Sequence, residues 1–403
     1  MKNILLLSNV YPAPDIPKGY TPVVHYFARE WMKMGYNVRV INYDINFPSL
    51  YYKLSSPFND RIASKVGYVV KNNCVNDMQF EMDKVCVRRI VMTKYFPHRK
   101  CGKKEIIKAY DKSINFLKGE QFVPDVIICH WANPCLQLMA MLKELYRVPT
   151  CFVAHGIEEL KVYGNHAEEL LKTVDLVGCR SDYIRKNFEC IYGKTIPTFI
   201  CYSGIPEKYV NSSLYKNINN ISNFVYVGTL ISRKFPASII TALSKSFGSE
   251  PFSMHYIGEG NEKTIIEKKA KECGVVDNVH IHGRLQRDQV VEILDKSDVF
   301  IMISKNEVFG LVYLEAMARG CITIASRREG FDGIIKDGVN GFLCEAGDST
   351  ELSSIINRIR TMSKEDIQRI SDSAIQTACQ FTDAKVARMY IDNVQQIISN
   401  KSK

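Results

Sequence analysis

Two glutamates, Glu307 and Glu315, lie eight positions apart on either side of a glycine turn. The apolar run 298–303 comes before them, and the segment 311–319 has the composition of a helix. The order of strand, polar loop, glycine turn and helix is how open α/β folds place a ligand at the carboxyl end of a strand. A pair of acids in this arrangement can bind hydroxyl groups at both ends of a molecule whose middle is a phosphate. A nucleotide-sugar has that chemistry.

The start of this helix could also bind an anion. Free backbone N–H groups and the helix dipole both favour negative charge at a helix N-terminus. The N–H groups expected to form the cradle are those of Phe309, Gly310 and Leu311.

The stretch 306–318 resembles the E-x7-E motif of retaining glycosyltransferases of family 4, and segments 320–326 and 337–343 match the same family. The resemblance covers nearly the whole chain, is strongest over 224–347 and is weakest over 47–112. It implies an α/β protein of the GT-B fold. Two doubly wound, Rossmann-like domains would face a central cleft, and a C-terminal helix would cross back to the first domain.

The resemblance also implies roles for charged residues. Glu307 would orient the donor sugar, and Glu315 would hold the ribose hydroxyls. The segment that runs from Gly228 to Lys234 resembles a family segment whose basic residues neutralise the donor diphosphate. Thr229 stands where the family usually has an arginine, so Arg233 is expected to supply the second charge. These cations would stabilise the charge that develops on the leaving phosphate.

In the family, a histidine after a first-domain strand faces the donor sugar, and His155 matches that position. His130 has a similar local setting, and we interpret it as a structural or supporting residue. Gly19 is the one glycine of the loop that corresponds to the family's glycine-rich loop near the diphosphate and the acceptor.

Further expected contacts with the donor come from glycine-bearing turns. Gly258 begins a G-x-G segment that resembles the one after the second strand of the family's nucleotide domain. The expected base-contacting turn consists of Gly283, Arg284 and Leu285. The segment 329–333 replaces the glycine pair that the family usually has near the donor sugar.

Short apolar strands alternate with helical patterns in both halves of the chain, which predicts two parallel sheets covered by helices. We place an N-terminal, acceptor-side domain at 1–202, completed by a C-terminal helix at 382–400. A C-terminal domain that binds the nucleotide-sugar is placed at 203–381.

The chain carries a net charge of +10 and 13 cysteines. Cysteine and histidine do not cluster with metal-ligand spacing and no Asp-x-Asp motif occurs, so we predict neither a metal nor another cofactor. Cysteines inside apolar strands indicate buried free thiols in a reducing compartment. Those expected to be buried are Cys129, Cys151, Cys179, Cys201 and Cys321.

Many basic residues fall at 84–112, with aromatic residues among them. They are Lys84, Arg88, Arg89, Lys94, Arg99, Lys100, Lys103, Lys104, Lys108 and Lys112. Such a patch suits an anionic membrane surface or a polyprenyl-diphosphate-linked acceptor. No apolar run approaches the roughly 18–20 residues that span a membrane, so a cytoplasmic protein at the inner face of the cell membrane is expected. The charge alone would also suit a nucleic acid, but no nucleic-acid-binding motif occurs, so no nucleic-acid partner is expected.

The sequence therefore predicts a retaining, metal-independent hexosyltransferase that uses a UDP-sugar in preference to a GDP-sugar. Its acceptor would be a hydroxyl of a glycan or of a lipid-linked glycan, in the assembly of capsule, O-antigen or exopolysaccharide. Two alternatives stay open, a nucleotide-sugar epimerase of the same fold and a non-catalytic nucleotide-binding scaffold. A nicotinamide dehydrogenase is disfavoured because the third glycine of the dinucleotide fingerprint is absent.

Overall fold

The computed structural model describes residues 2–16, 21–55, 73–96, 99–210, 216, 218 and 220–401. These residues form two compact α/β units. One unit contains the described residues up to Tyr202 together with the helix Asp383–Lys401, and the other contains Ser203–Thr382. Gly19, which the sequence places near the diphosphate, lies outside the described residues.

The sheet of the first unit has eight strands. They are β1 Asn3–Ser8, β2 Asn37–Asn46, β3 Met78–Met82, β4 Val85–Thr93, β5 Val126–His130, β6 Thr150–Ala154, β7 Leu176–Cys179 and β8 Thr198–Ile200. Their order is β3-β4-β2-β1-β5-β6-β7-β8, and every neighbouring pair is parallel except β3 and β4. Residues of β5 and β6 are buried throughout, as expected for strands covered on both faces.

Helices flank this sheet. Their bounds are Val23–Lys33, Ser49–Ser55, Lys103–Gly119, Cys135–Tyr146, His166–Leu171, Asp182–Tyr192 and Asp383–Lys401. The helix Asp383–Lys401 packs on Val23–Lys33, where the indole N–H of Trp31 donates to the carbonyl of Ala387 at 2.9 Å. The ring of Tyr390 meets that of Trp31 edge to face at 5.0 Å between centroids.

The sheet of the second unit has six parallel strands. They are β9 Asn223–Val227, β10 Ser253–Ile257, β11 Val279–Ile281, β12 Val299–Met302, β13 Ile322–Ser326 and β14 Phe342–Cys344, in the order β11-β10-β9-β12-β13-β14. Its helices are Pro236–Phe247, Lys263–Glu272, Arg287–Lys296, Leu311–Ala318, Ser349–Arg360 and Lys364–Cys379.

Each sheet has a point where the direction of winding reverses. In the second sheet the chain runs outward from β9 to β11 and then returns to β12 on the other side of β9. In the first sheet β1 and β5 flank the equivalent point. Open α/β sheets bind ligands outside the carboxyl ends of the strands at such a point.

The structure corrects the expectation of a single basic patch at 84–112. Residues 78–93 instead form the antiparallel pair β3 and β4, and β4 pairs with β2 inside the sheet. Arg89 is 1% exposed, and both of its terminal nitrogens bond the carboxylate of Asp15 at 2.6 Å. The basic residues of this stretch therefore do not form a single surface.

The thiols of Cys129, Cys151, Cys179, Cys201 and Cys321 are buried and free, as predicted. Among the described helices, none has the length and apolar character needed to cross a membrane.

Candidate functional site

The loops after β9 and β12 meet at the point where the second sheet reverses. The backbone N–H of Lys305 donates to the carbonyl of Arg233 at 2.7 Å. The Nη1 atom of Arg233 in turn donates to the carbonyls of Lys305 and Asn306, at 3.1 and 3.3 Å. Two segments about seventy residues apart in sequence are thus joined through their backbones at the carboxyl edge of the sheet.

The carboxylate of Glu307 faces the cations of Lys234 and Arg233. The Oε2 atom of Glu307 lies 3.1 Å from Nζ of Lys234 and 3.7 Å from Nη1 of Arg233. The side chains of Lys234 and Glu307 are only 12% and 13% exposed, so the Coulomb attraction of this pair is less screened than at the surface. A Cβ atom on Gly228 would lie 3.3 Å from that Nζ atom, so glycine leaves room for the lysine. The structure therefore brings together three of the charged residues that the sequence assigns to the donor.

Glu329 fixes the backbone of this loop. Its Oε2 atom accepts a hydrogen bond from the N–H of Glu307 at 2.8 Å, and the N–H of Gly330 donates to the carbonyl of Glu307 at 2.8 Å. Burial and the nearby charge of Glu307 raise the pKa of Glu329, while the backbone donors oppose that rise. A Cβ on Gly330 would come within 2.4 Å of the carbonyl carbon of Val308, so this approach needs glycine.

The helix Leu311–Ala318 begins directly after this loop. Gly310 has a φ of +80°, and a Cβ there would lie 2.5 Å from the ring of Tyr313. The hydroxyl of Tyr313 donates to the carbonyl of Met302 at 2.6 Å, which ties the first turn of the helix to the end of β12. The first N–H groups of a helix have no partner within the helix, so this turn can bind an anion beside the cations.

Glu315 lies one turn into the same helix and is paired with Arg287. The Nη2 atom of Arg287 contacts Oε1 of Glu315, and its guanidinium also lies 4.8 Å from the ring centre of Tyr209. Burial raises the pKa of Glu315, and the charge of Arg287 partly offsets that effect. The sequence motif identifies Glu315 but not Arg287, because the two residues come together only through packing of their helices.

The G-x-G segment packs against the loop that follows β9. A Cβ on Gly258 would lie 1.9 Å from the carbonyl oxygen of Gly228, and one on Gly260 would lie 2.1 Å from that of Leu230. The N–H of Leu230 donates to the carbonyl of Glu259 at 2.8 Å. The two glycines are thus explained by close backbone approach, which shapes the loop that carries Lys234.

The predicted base-contacting turn adjoins this segment. The carbonyl of Gly283 accepts a hydrogen bond from the N–H of Gly258 at 2.8 Å, and Gly283 has a φ of +69°. Arg284 is exposed and Leu285 is partly buried.

In the first unit, His130 is the last residue of β5, and His155 directly follows the neighbouring strand β6. The Nδ1 atom of His130 lies 3.0 Å from Nε2 of His155. The ring of Trp131 stacks on that of His155, with centroids 3.9 Å apart and planes inclined by 12°. Burial, followed by the charge of Arg180, holds the pKa of both imidazoles well below the usual range. Both rings are therefore neutral at neutral pH.

Glu159 ties the two histidine loops together, and the sequence analysis missed it. Its Oε1 atom accepts from the N–H of Gly156 at 2.6 Å, and its Oε2 atom accepts from the N–H of Ala132 at 2.8 Å. Burial raises the pKa of Glu159 to about 7 despite these donors. The one available signal in the sequence was an acid four residues after His155.

Within the described ranges, no group of three or more His, Cys, Asp or Glu side chains is arranged to hold a metal ion.

Most of the second unit is similar to a known protein family. Residues 217–377 match the family model of glycosyl transferases group 1. This part of the chain is therefore similar to group 1 glycosyl transferases. The ion pair of Lys234 with Glu307, the hydrogen bonds made by Glu329 and the helix that carries Glu315 all lie inside the matched residues.

Similarity to known proteins extends beyond residues 217–377. The chain is 26% identical over 342 residues to an uncharacterized glycosyltransferase of Methanocaldococcus jannaschii, with 80% of this chain and 89% of the relative covered. It is 30% identical over 188 residues to N-acetyl-alpha-D-glucosaminyl L-malate synthase of Bacillus anthracis, with 46% of this chain and 47% of the relative covered.

Solved structures share the fold. HepE of Anabaena in complex with UDP superimposes with a TM-score of 0.69 at 17% identity, covering 98% of this chain and all of the other. HepE is also known in complex with UDP-glucose. Sucrose-phosphate synthase of Thermosynechococcus elongatus gives a TM-score of 0.68 at 16% identity, over 99% of this chain and all of the other. The predicted α/β, two-domain GT-B fold is confirmed.

Proposed function

We propose that this chain transfers a hexosyl group from a UDP-sugar to a hydroxyl of a glycan or lipid-linked acceptor, with retention of the anomeric configuration. The observation that carries this proposal is the cluster of Lys234, Arg233 and Glu307 at the reversal point of the second sheet, inside the residues that match group 1 glycosyl transferases.

The cluster has the charge that a nucleoside diphosphate requires. Two cations face one carboxylate, and a helix N-terminus adjoins them, so a doubly negative diphosphate is attracted. On donor binding, Lys234 and Arg233 turn from Glu307 to the phosphate oxygens. Glu307 is then free to accept hydrogen bonds from hydroxyls of the donor sugar.

The reaction breaks the bond between the anomeric carbon and the β-phosphate oxygen, and it forms a bond from that carbon to the acceptor oxygen on the same face of the sugar. The acceptor proton passes to the departing phosphate. Negative charge grows on that phosphate as the bond breaks, and fixed cations and N–H donors stabilise it most in the transition state. Lys234 and Arg233 supply this charge in our proposal, without a metal or another cofactor.

The complexes of HepE with UDP and with UDP-glucose favour a uridine nucleotide as donor. The first test is thermal stabilisation of the full chain by UDP, GDP, ADP, dTDP and their glucose conjugates, in the presence of EDTA. A ligand that binds the native state raises the midpoint by mass action. A rise with UDP and UDP-glucose is expected, and a rise with GDP alone would overturn the choice of base.

The second test follows the products. Incubation of the stabilising nucleotide-sugar with a panel of glycan and polyprenyl-diphosphate-glycan acceptors is expected to release nucleoside diphosphate and to form an α-linked product from an α-linked donor, as read by NMR. Inversion at the anomeric carbon would contradict retention. Interconversion of sugars without an acceptor would identify an epimerase, and binding without any turnover would identify a scaffold.

Contact with an anionic membrane is the remaining part of the proposal. Tyr95 and Phe96 are 71% and 62% exposed, and the guanidinium of Arg99 lies 5.3 Å from the ring centre of Phe96. Exposed lysines continue along this surface, at Lys100, Lys103, Lys104 and Lys108. We expect sedimentation with vesicles of anionic phospholipid and not with neutral ones, and loss of sedimentation in Tyr95→Ser/Phe96→Ser. Equal sedimentation with both vesicle types would contradict a membrane role for this surface.

A further inference from the structure

A line of hydrogen-bonding groups leads from the helix Asp383–Lys401 to His155. The hydroxyl of Tyr390 lies 3.4 Å from Nε2 of His130, and Nδ1 of His130 lies 3.0 Å from Nε2 of His155. His130 is fully buried, so both of its ring nitrogens depend on these partners. Nδ1 of His155 is left without a hydrogen-bond partner among the described residues, and the ring is partly exposed.

The hydroxyl of Tyr390, which is the first group in this line, determines where each proton lies. Tyr390 is buried, and burial raises the pKa of its hydroxyl, so it stays protonated. Its other neighbour is Sγ of Cys151 at 3.9 Å, which is a weak acceptor. Nε2 of His130 is the better acceptor, so the Tyr390 hydroxyl donates to it. A neutral imidazole that accepts at Nε2 carries its proton on Nδ1.

The proton on Nδ1 of His130 determines the tautomer of His155. Nδ1–H of His130 donates to Nε2 of His155, and the neutral His155 therefore carries its own proton on Nδ1. We propose that Tyr390 and His130 are positioning residues that hold His155 as its Nδ1–H tautomer, so that His155 donates a hydrogen bond to an oxygen of the bound ligand. That this oxygen belongs to the donor sugar rests on the proposed function, whereas the tautomer does not.

The surroundings of His155 hold the ring in the orientation that this relay needs. The stacked indole of Trp131 fixes the plane of the ring. Trp131 itself has a φ of +62°, an uncommon backbone conformation that costs free energy in a residue other than glycine. The Glu159 carboxylate fixes the backbone of both loops. The stacked indole, the Glu159 carboxylate and the hydrogen bond with His130 thus restrain an imidazole whose Nδ1 atom has no hydrogen-bond partner among the described residues.

The test is a two-bond ¹H–¹⁵N correlation spectrum of the full chain labelled with ¹⁵N-histidine at pH 7.5, which reports the proton on each ring nitrogen. His155 and His130 are assigned from His155→Gln and His130→Gln. The expected result is a neutral His155 protonated on Nδ1, which is the less common tautomer of free histidine. A His155 that is protonated on Nε2, or charged at this pH, would overturn the proposal.

Tyr390→Phe removes the first donor while keeping the ring among Phe27 and Trp31. His155 is then expected to shift toward the Nε2–H tautomer. The matched control is Tyr43→Phe, which removes another buried hydroxyl, bonded to Ser113 at 2.9 Å, outside the relay. An unchanged His155 tautomer in folded Tyr390→Phe would also overturn the relay.

The second test measures KM and kcat with the nucleotide-sugar that most stabilises the wild type. Loss of one hydrogen bond made equally in ground and transition states raises KM and leaves kcat unchanged. We expect Tyr390→Phe to raise the donor KM about tenfold, with no such rise in Tyr43→Phe. If the wild type shows no transfer at all, the proposed function fails, and the NMR result still decides the relay.

Discussion

The Oε2 atom of Glu307 lies 3.1 Å from Nζ of Lys234, and this contact joins the loops after β9 and β12 across the point where the second sheet reverses. The two residues are 73 positions apart in sequence, and neither loop alone would form a charged site. In the ligand-free chain the carboxylate balances the lysine. The donor diphosphate would take over that role, so the contact is expected to break when nucleotide binds.

Lys234→Met tests this exchange directly. The variant keeps the aliphatic stem and loses the charge, so the dissociation constant of UDP should rise by about tenfold to a hundredfold. Isothermal titration calorimetry gives the value. Lys245→Met is the matched control, because Lys245 is exposed in the last turn of the helix Pro236–Phe247. Equal affinity in the wild type and in Lys234→Met would remove Lys234 from the phosphate site.

The variant Glu315→Gln tests whether Glu315 acts in donor binding and not in the transfer step. The amide keeps the shape of the side chain but weakens the hold on ribose hydroxyls, which do not change during the reaction. The donor KM should therefore rise about tenfold while kcat stays within about threefold of the wild type. Glu292→Gln, at an exposed position of the helix Arg287–Lys296, provides the control in the same steady-state assay. A normal donor KM would refute the ribose role.

Gly260→Ala should destabilise the second unit through a steric clash. The new Cβ would lie 2.1 Å from the carbonyl oxygen of Leu230, so the backbone of one loop must move, at a cost of about 2 kcal/mol or more. Gly274→Ala serves as control, because Gly274 also has a positive φ, +69°, but has no atom within 4 Å of its Cβ position. Urea unfolding of both variants should show a larger loss for Gly260→Ala. Similar losses would mean that φ alone decides the effect.

The stability of Glu159→Gln should depend on pH relative to the wild type. Burial raises the pKa of Glu159 from 4.5 to about 7, so the folded chain binds this proton more tightly than the unfolded chain does. The wild type therefore loses stability as pH rises from about 4.5 to 7, and a glutamine does not. The free energy of unfolding of the variant minus that of the wild type should increase by about 1–3 kcal/mol between pH 5 and pH 8.

Urea titrations at both values of pH measure this difference. Glu158→Gln is the control, since Glu158 is 78% exposed on the same turn as Glu159. A difference between Glu159→Gln and the wild type that stays constant with pH would show that Glu159 keeps its ordinary acidity in the folded chain.

The predictable parts of the fold are those in which local sequence and tertiary environment agree. Strands such as β6 and β7 are short, almost wholly apolar runs, and the alternation of such runs with helical patterns predicts the parallel sheets. β4 was missed because it contains Arg88 and Arg89 and belongs to a hairpin. Arginine in a buried strand requires a partner from elsewhere, here Asp15, and a single sequence does not show which distant acid that is.

The same limit applies to the two sites. Glu307, Lys234 and His155 lie in loops that follow strands. The alternation of strands and helices and the family motifs identify such positions in the sequence. Glu329, which supports the loop of Glu307, and Tyr390, which contacts His130, lie on other loops and helices, as does Arg287, the partner of Glu315. Such partners are set by how helices and loops pack, which no motif spacing encodes.

The helix Asp383–Lys401 has a consequence for synthesis of the chain. Among the described residues, the second unit runs from Ser203 to Thr382 with no segment from elsewhere in the chain, whereas the aromatic core around Trp31 stays open until Tyr390 has emerged from the ribosome. The unit translated later can therefore finish folding first. The N-terminal sheet must wait with part of one face uncovered, which makes the interval between the two events the time at which a chaperone would matter most.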